Sequence, residues 1–316
     1  MQIGNLQVHN FLALGPMAGV TDWAFRTICA QLGAGVTVTE MVSSRALVYK
    51  DKKSAALLRK NEGSLCGAQI FGNDPDIMAE GARLALEISG CDFLDINMGC
   101  PMPKIANNGD GCGLMRTPEL AEQIVKAVTK AVDVPVTVKC RLGWDKGSIN
   151  VLDFAKRMED SGAALLTVHG RTRSMLYSGV ADWDMIAKVK QELSVPVIAN
   201  GDIVDGQSAV RCRNWTKADG FMIGRATFGN PWVFDEIKAY FEGREFTPPT
   251  TEERIASAIG LVSAIVDLKG EDRGIREARG RAAHFIRGMR GSAEIRAALN
   301  SSTSLQEFKS ILENYI

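Results

Sequence analysis

The chain has 316 residues, 46% hydrophobic and 23% charged, enough for one large α/β domain plus an appendage. Its 37 basic and 37 acidic residues cancel, which excludes bulk electrostatic attraction to nucleic acid or membrane but leaves room for a local patch. Seven cysteines with no CxxC pair, and three histidines, point away from a disulfide framework and a metal site.

The N-terminus, MQIGNLQVHN, has neither a charged n-region nor an apolar h-region. The longest mild apolar run, 257–266, is too short to span a bilayer. The expected compartment is the cytoplasm, without membrane contact.

Eight short apolar runs then recur: Phe11–Leu14, Val36–Thr39, Leu65–Ile70, Phe93–Ile96, Val136–Cys140, Leu165–Val168, Val195–Ala199 and Gly220–Ile223. Most are rich in Val, Ile or Leu without polar alternation, as in parallel strands buried on both faces. Helical periodicity fills the gaps, over Asp22–Leu32, Pro75–Ser89, Pro118–Val132, Val151–Ser161, Trp183–Leu193 and Gln207–Thr216. Thr117-Pro118-Glu119 has start chemistry: a cap, proline at the first helical position, then an acid. Eight alternations predict a (β/α)8 TIM barrel. An open doubly wound sheet is the alternative, weakened because no GxGxxG follows the first strand.

Active sites of such barrels lie at the carboxyl ends of the strands. There the sequence places Pro16-Met17-Ala18, Glu40-Met41, Gln69, Asn97 with Cys100, Lys139 with Arg141, His169 with Arg171, Asn200-Gly201-Asp202, and Gly224-Arg225. Cys100 in DINMGCP is a candidate nucleophile, acid or redox group, or a small buried hydrophobe. Lys139 suits an anionic cofactor ring or a Schiff base, and equally a rim ion pair with Glu40 or Asp95. Gln69 offers a donor and an acceptor to the edge of a heterocycle, or is satisfied by backbone. His169 is an acid, a ligand of a carbonyl or phosphate, or a structural imidazole. The Gly201 and Gly224-Arg225 turns fit a phosphate at bare N–H groups, or are tight turns needing positive φ.

Beyond the eighth strand, Glu242-Gly243 and Thr247-Pro248-Pro249 read as a linker into a helical segment from about Glu252 to Ile316. Residues 273–296 carry arginines 273, 276, 279, 281, 287, 290 and 296 against only Glu277 and Glu294. The run fits nucleic-acid phosphates or a solvated helical face.

Taken in order, GPMAGVTD (15–22), Thr39-Glu40-Met41, DINMGCP, Lys139-Cys140-Arg141, His169-Gly170-Arg171-Thr172, Asn200-Gly201-Asp202-Ile203 and Ile223-Gly224-Arg225 resemble the tRNA-dihydrouridine synthase family, closest to its bacterial B-type branch. The resemblance spans nearly the whole chain. It implies an FMN enzyme, reduced by NADPH, that delivers hydride to C6 of a uridine in tRNA, with the D-loop as the suggested location. It implies Cys100 as the acid that protonates C5. Pro16, Met17, Ala18, Gln69, Lys139, His169, Asn200, Gly201, Asp202, Gly224 and Arg225 are the implied FMN residues. Asn97, Lys104, Arg141 and Arg171 would face the uridine or its phosphate, and Arg273, Arg276 and Arg279 the tRNA. Residues 1–243 are then the FMN-binding catalytic barrel and 244–316 the helical tRNA-binding domain, in an expected monomer. The loop 101–115 departs from the family wording at Cys112, a second thiol near the site, and its glycines suggest a mobile lid. Two other functions stay open: an FMN barrel reducing a free pyrimidine, and an RNA-binding protein with a vestigial barrel.

Overall fold

The computed structural model describes residues 1–314; the last two residues of the predicted helical segment lie outside them. The eight predicted strands form, as β1 Leu12–Leu14, β2 Val36–Val38, β3 Leu65–Phe71, β4 Phe93–Met98, β5 Val136–Cys140, β6 Leu165–His169, β7 Val197–Asn200 and β8 Gly220–Ile223. All pair in parallel with their sequence neighbours, and β8 pairs with β1, so the sheet closes into a barrel. The open-sheet alternative is thereby excluded. β7 starts two residues later than predicted, because Pro196 has no N–H for the ladder and supplies only its carbonyl, to Leu166.

Alternation along each strand sorts the barrel interior into layers. Phe93, Leu165, Ile198 and Met222 form an apolar floor, with Ile3 and Val8 of an N-terminal ribbon (Gln2–Ile3 against Leu6–Gln7) packed beneath. Gly67 is required here: a Cβ would meet the Phe93 ring at 2.3 Å. Two residues further along the strands the interior turns polar, with Gln69, Asp95, Thr137 and Thr167. Two further on, Asn97, Lys139, His169 and Asn200 stand at the mouth.

The predicted outer helices are present with ends shifted by a residue or two. Asp22 caps helix 23–31 through Phe25 N–H, and Asp74 caps helix 75–89. Thr117 does not cap helix 118–131 with its side chain as expected; its carbonyl takes the first N–H bonds, and Pro118 fixes the start. After Glu242 the chain runs without regular structure to a capping box, Thr250 with Glu253, that opens the long helix 251–269. Three helices follow, at 271–282, 292–301 and 305–313. Their seam with the barrel includes Arg281, which donates to Asp22 Oδ2 (2.7 Å) and Val20 O (2.9 Å). Among the described residues no helix is long and apolar enough to cross a membrane.

Candidate active site

The end of β4 is built around one side chain. Asn97 Oδ1 accepts from the backbone N–H of Gly99 (3.1 Å) and of Cys100 (2.9 Å), an Asx turn that folds the chain back over the mouth. Asn97 Nδ2 donates to Gln69 Oε1 (2.9 Å), and Gln69 Nε2 donates to Asp95 Oδ2 (2.6 Å). Gln69 is thus satisfied by side chains rather than backbone, and keeps one N–H uncommitted. Asn97, expected to face the uridine or its phosphate, is buried and holds the Cys100 turn. Burial raises the Asp95 carboxyl to about 6, against the pull of Gln69, Thr137 and Lys139.

Cys100 is the one partly exposed thiol of the seven. Desolvation pushes its pKa above the usual value; the Met102 N–H, Arg141 and Lys139 oppose this. The thiol therefore keeps its proton at neutral pH, as a general acid must. Cys112 is fully buried and pushed up to about 12, so it is shielded rather than competing for oxidants. The loop 101–115 folds into a short helix, 103–106, and a 3₁₀ turn, 111–116. Its Gly113 allows close packing, since a Cβ would lie 2.6 Å from Ala106 O. Lys104 is exposed on that short helix.

Across the mouth, Lys139 Nζ donates to Asn200 Oδ1 (3.2 Å) and forms no ion pair with Glu40 or Asp95. Desolvation, then repulsion from Arg141, lowers it to about 8. His169 is held well below its usual value by burial, then by Lys139, Arg141, Arg171 and Arg225, so the imidazole is neutral. Arg141 is buried and donates to the carbonyls of Gly99, Thr172 and Leu176. Arg171 is buried too, bonded to Ser178 O, Gly179 O and both oxygens of Asp202, with Nη1 unpartnered. Both arginines, expected to face the uridine or its phosphate, also pin the loop after β6.

That loop delivers a residue the sequence reading missed. Tyr177, half exposed, sits 6.4 Å from the His169 ring, with the Arg225 guanidinium 5.0 Å and the Arg141 guanidinium 5.9 Å from its ring. No motif marks it, because two of its three neighbours come from other strand ends, those of β5 and β8.

The ends of β7 and β8 form a backbone cradle. The N–H groups of Gly201, Asp202, Gly224 and Arg225 donate to no acceptor among the described residues, and neither does that of Ala18. Gly201 has φ +120° as a tight turn requires, and Asp202 φ +57°. Gly224 does not have positive φ. A Cβ there would meet nothing nearer than Met17 Sδ at 3.8 Å, so close packing does not require glycine at this position. Asp202 accepts from Arg171 and from Ala181 N–H (2.7 Å), and Arg225 stands exposed 3.5 Å from it. Pro16 and Met17 line the first loop, whose Met17 N–H is tied to Thr21 Oγ1 (2.8 Å) and whose Gly19 N–H is tied to Glu40.

The helical arginines separate by role. Arg281 belongs to the seam. Arg273 pairs with Glu277 one turn on (2.6 Å), as a solvated face would, and Arg279 bonds Ser302 O (3.2 Å). The Arg276 side chain points outward with no hydrogen bond or ion pair to the described residues, and Arg287 and Arg296 are exposed.

A family model described as dihydrouridine synthase matches residues 12–316. Across its full length the chain is 41% identical to tRNA-dihydrouridine synthase B of Vibrio vulnificus, covering 98% of that protein. It is also 41% identical to a probable tRNA-dihydrouridine synthase 1 of Synechocystis, covering 89% of it. Among solved structures, the old yellow enzyme homologue of Zymomonas mobilis superposes with TM-score 0.57 at 14% identity, over 80% of this chain and 94% of that one. A 2-naphthoyl-CoA reductase superposes with TM-score 0.61 at 13% identity over 77% of this chain, which spans about half (52%) of the reductase. At such identities these two matches speak for the barrel alone.

Proposed function

The chain belongs to the dihydrouridine synthase family, a family of oxidoreductases, and on that premise we propose that it reduces specific uridines of tRNA, in the D-loop, to 5,6-dihydrouridine, using FMN and NADPH. The observation that carries this reading is the convergence on one barrel mouth of a proton-retaining thiol, a desolvated lysine, a neutral imidazole and uncommitted backbone N–H groups.

These groups suit FMN. The N–H groups of Gly201, Asp202, Gly224 and Arg225, with the Arg225 guanidinium, would hold its phosphate. Asp202 tempers the arginines there and fixes the turn. Pro16, Met17, Ala18, Gln69, Lys139, His169 and Asn200 would line its ring system. Bound there, FMN would supply hydride chemistry toward C6 of the uracil ring, with NADPH as its reductant.

The chain's own residues do the rest. Lys139 places positive charge at the barrel axis, where an electron-rich ring needs it. His169, neutral, donates or accepts a hydrogen bond without adding charge. Asn97 fixes the Cys100 backbone, so the Sγ proton is presented at one point of the mouth for C5. Tyr177 covers the His169 side and offers an aromatic face to a base turned out of its stack. Residues 1–243 serve as the catalytic barrel. Residues 244–316, with Arg276 outward, serve tRNA binding, and Lys104 and the loop it stands on face the substrate side.

The test is dihydrouridine mapping by mass spectrometry of nuclease fragments from cells lacking this protein, complemented with wild type or Cys100→Ala. A specific dihydrouridine that disappears, returns with wild type and stays low with the variant fits the proposal. Persistence of every dihydrouridine, with no second synthase present, sinks it.

A further inference from the structure

Beside the barrel mouth lies a cavity of about 310 Å³ that the groups above do not use. Its walls come from the segments after β2 (Ser44, Arg45) and β3 (Asn73, Asp74) and from the Cys100 loop (Asn108, Asp110). It adjoins the reaction centre: Gly111, next to Asp110, packs so tightly on Cys100 that an added Cβ would stand 3.0 Å from the Cys100 Cβ.

Three features show a built site. The Ser44 hydroxyl is 1% exposed and has no hydrogen-bond partner, a costly arrangement for a buried polar atom unless something else satisfies it. The Arg45 guanidinium stands exposed at the edge with no hydrogen bond or ion pair to any described residue. Asp74 is already engaged, capping Asp76 and Ile77 N–H, so the unengaged carboxyl of the wall is Asp110, which burial holds above the usual carboxylate range against the pull of Arg45.

The surface leading from the cavity fits one kind of chain. One helical turn beyond Arg45 stands Tyr49, 75% exposed, followed by exposed Lys50, Lys52 and Lys53. The one acid among them, Asp51, is engaged with Ser54. Four cations around a bare aromatic, on a chain of zero net charge, have the composition of a single-strand nucleic-acid surface. The volume sits at the lower limit of small-molecule sites, about 300 to 1,000 Å³, which suits one nucleotide and is too small for a dinucleotide.

We propose that this cavity is a nucleotide subsite for the tRNA strand adjoining the target uridine. Arg45 takes a phosphate, Tyr49 stacks on a base, and the Ser44 and Asn73 wall hydrogen-bonds the inserted nucleotide. The subsite rests on the tRNA reading. It adds a grip on tRNA separate from that of residues 244–316.

The experiment uses the full-length, flavin-loaded enzyme and unmodified tRNA transcript. Arg45→Ala, Tyr49→Ala and, as a control cation on the barrel flank, Lys188→Ala are compared with wild type for tRNA Kd against salt and for kcat and KM. Loss of one stacked base predicts roughly 5- to 100-fold weaker binding for Tyr49→Ala. Loss of one phosphate contact predicts a salt slope shallower by about 0.7–0.9 for Arg45→Ala. Both losses should fall on KM, and Lys188→Ala should match wild type. A transcript with a photoreactive nucleotide beside the target should crosslink within residues 43–53. Wild-type Kd, slope and KM in both variants, or crosslinks confined to residues 273–296, overturn the subsite. A wild-type enzyme that neither binds nor reduces the transcript overturns the tRNA reading instead.

Discussion

Asn97 Oδ1 lies 2.9 Å from the Cys100 backbone nitrogen, and through Nδ2 the same side chain is tied to Gln69, 2.9 Å away on the neighbouring strand. The position of the thiol is therefore fixed by the barrel interior rather than by its own loop. Replacing Asn97 with alanine frees the loop end. A displacement of about 1 Å at a reacting group costs on the order of 100-fold in rate. We expect Asn97→Ala to lower kcat by about 10- to 100-fold with flavin content unchanged. Single-turnover measurement of dihydrouridine formation checks this.

Cys100 should be the only thiol that native-state alkylation reaches, because the other six are buried. Its pKa is raised by desolvation, so the protonated form persists beyond the ordinary thiol range. Iodoacetamide labelling should be slow at pH 7 and accelerate above pH 9. Uridine reduction should fall over the same alkaline range as the proton is lost. Peptide mapping that finds Cys112 labelled first would contradict the burial described here.

The Asp95 carboxyl predicts an acid-side signature. Its folded-state pKa, about 6, lies above the ordinary aspartate value of about 3.9. The folded state therefore binds the proton more tightly, and the stabilisation this gives, present at low pH, is lost as pH rises from about 4 to 6. Two pH units correspond to about 3 kcal/mol as an upper bound. Denaturant unfolding of wild type and Asp95→Asn across pH 4 to 7 should show a loss with rising pH that is smaller in the variant.

Arg281 and Asp22 are both mostly buried at the seam, and removing one partner strands the other. Arg281→Ala should cost about 1–3 kcal/mol at that contact and expose the 243–250 connection to limited proteolysis. It should do so without the salt-slope change expected of a phosphate contact.

Arg276 and Arg273 should behave differently toward tRNA. Arg276 is uncommitted, whereas Arg273 is paired with Glu277. Neutralising Arg276 should flatten the salt dependence of binding by about 0.7–0.9, the share of one phosphate. Neutralising Arg273 should change it less, since Glu277 already screens that charge.

The sequence by itself determined the barrel and the position of its active face. Uninterrupted apolar runs at a regular spacing have few other ways to be buried, and parallel strands must return through helices on one side. It also located Cys100, Lys139, His169 and the β7–β8 turns, because chemistry at strand ends is read directly from where each run stops. Tertiary structure alone decided what those side chains bond. Asn97, Arg141 and Arg171 serve as internal supports: Asn97 holds the turn at Gly99 and Cys100 and reaches Gln69 on the neighbouring strand, Arg141 bonds the carbonyls of Gly99, Thr172 and Leu176, and Arg171 bonds Ser178, Gly179 and Asp202. Tyr177 became part of the site, and the Ser44–Asp110 cavity came into being, only through closure of the barrel. Periodicity reports which face of an element is buried; hydrogen bonds between distant loops depend on how the whole chain folds, and no local pattern encodes them.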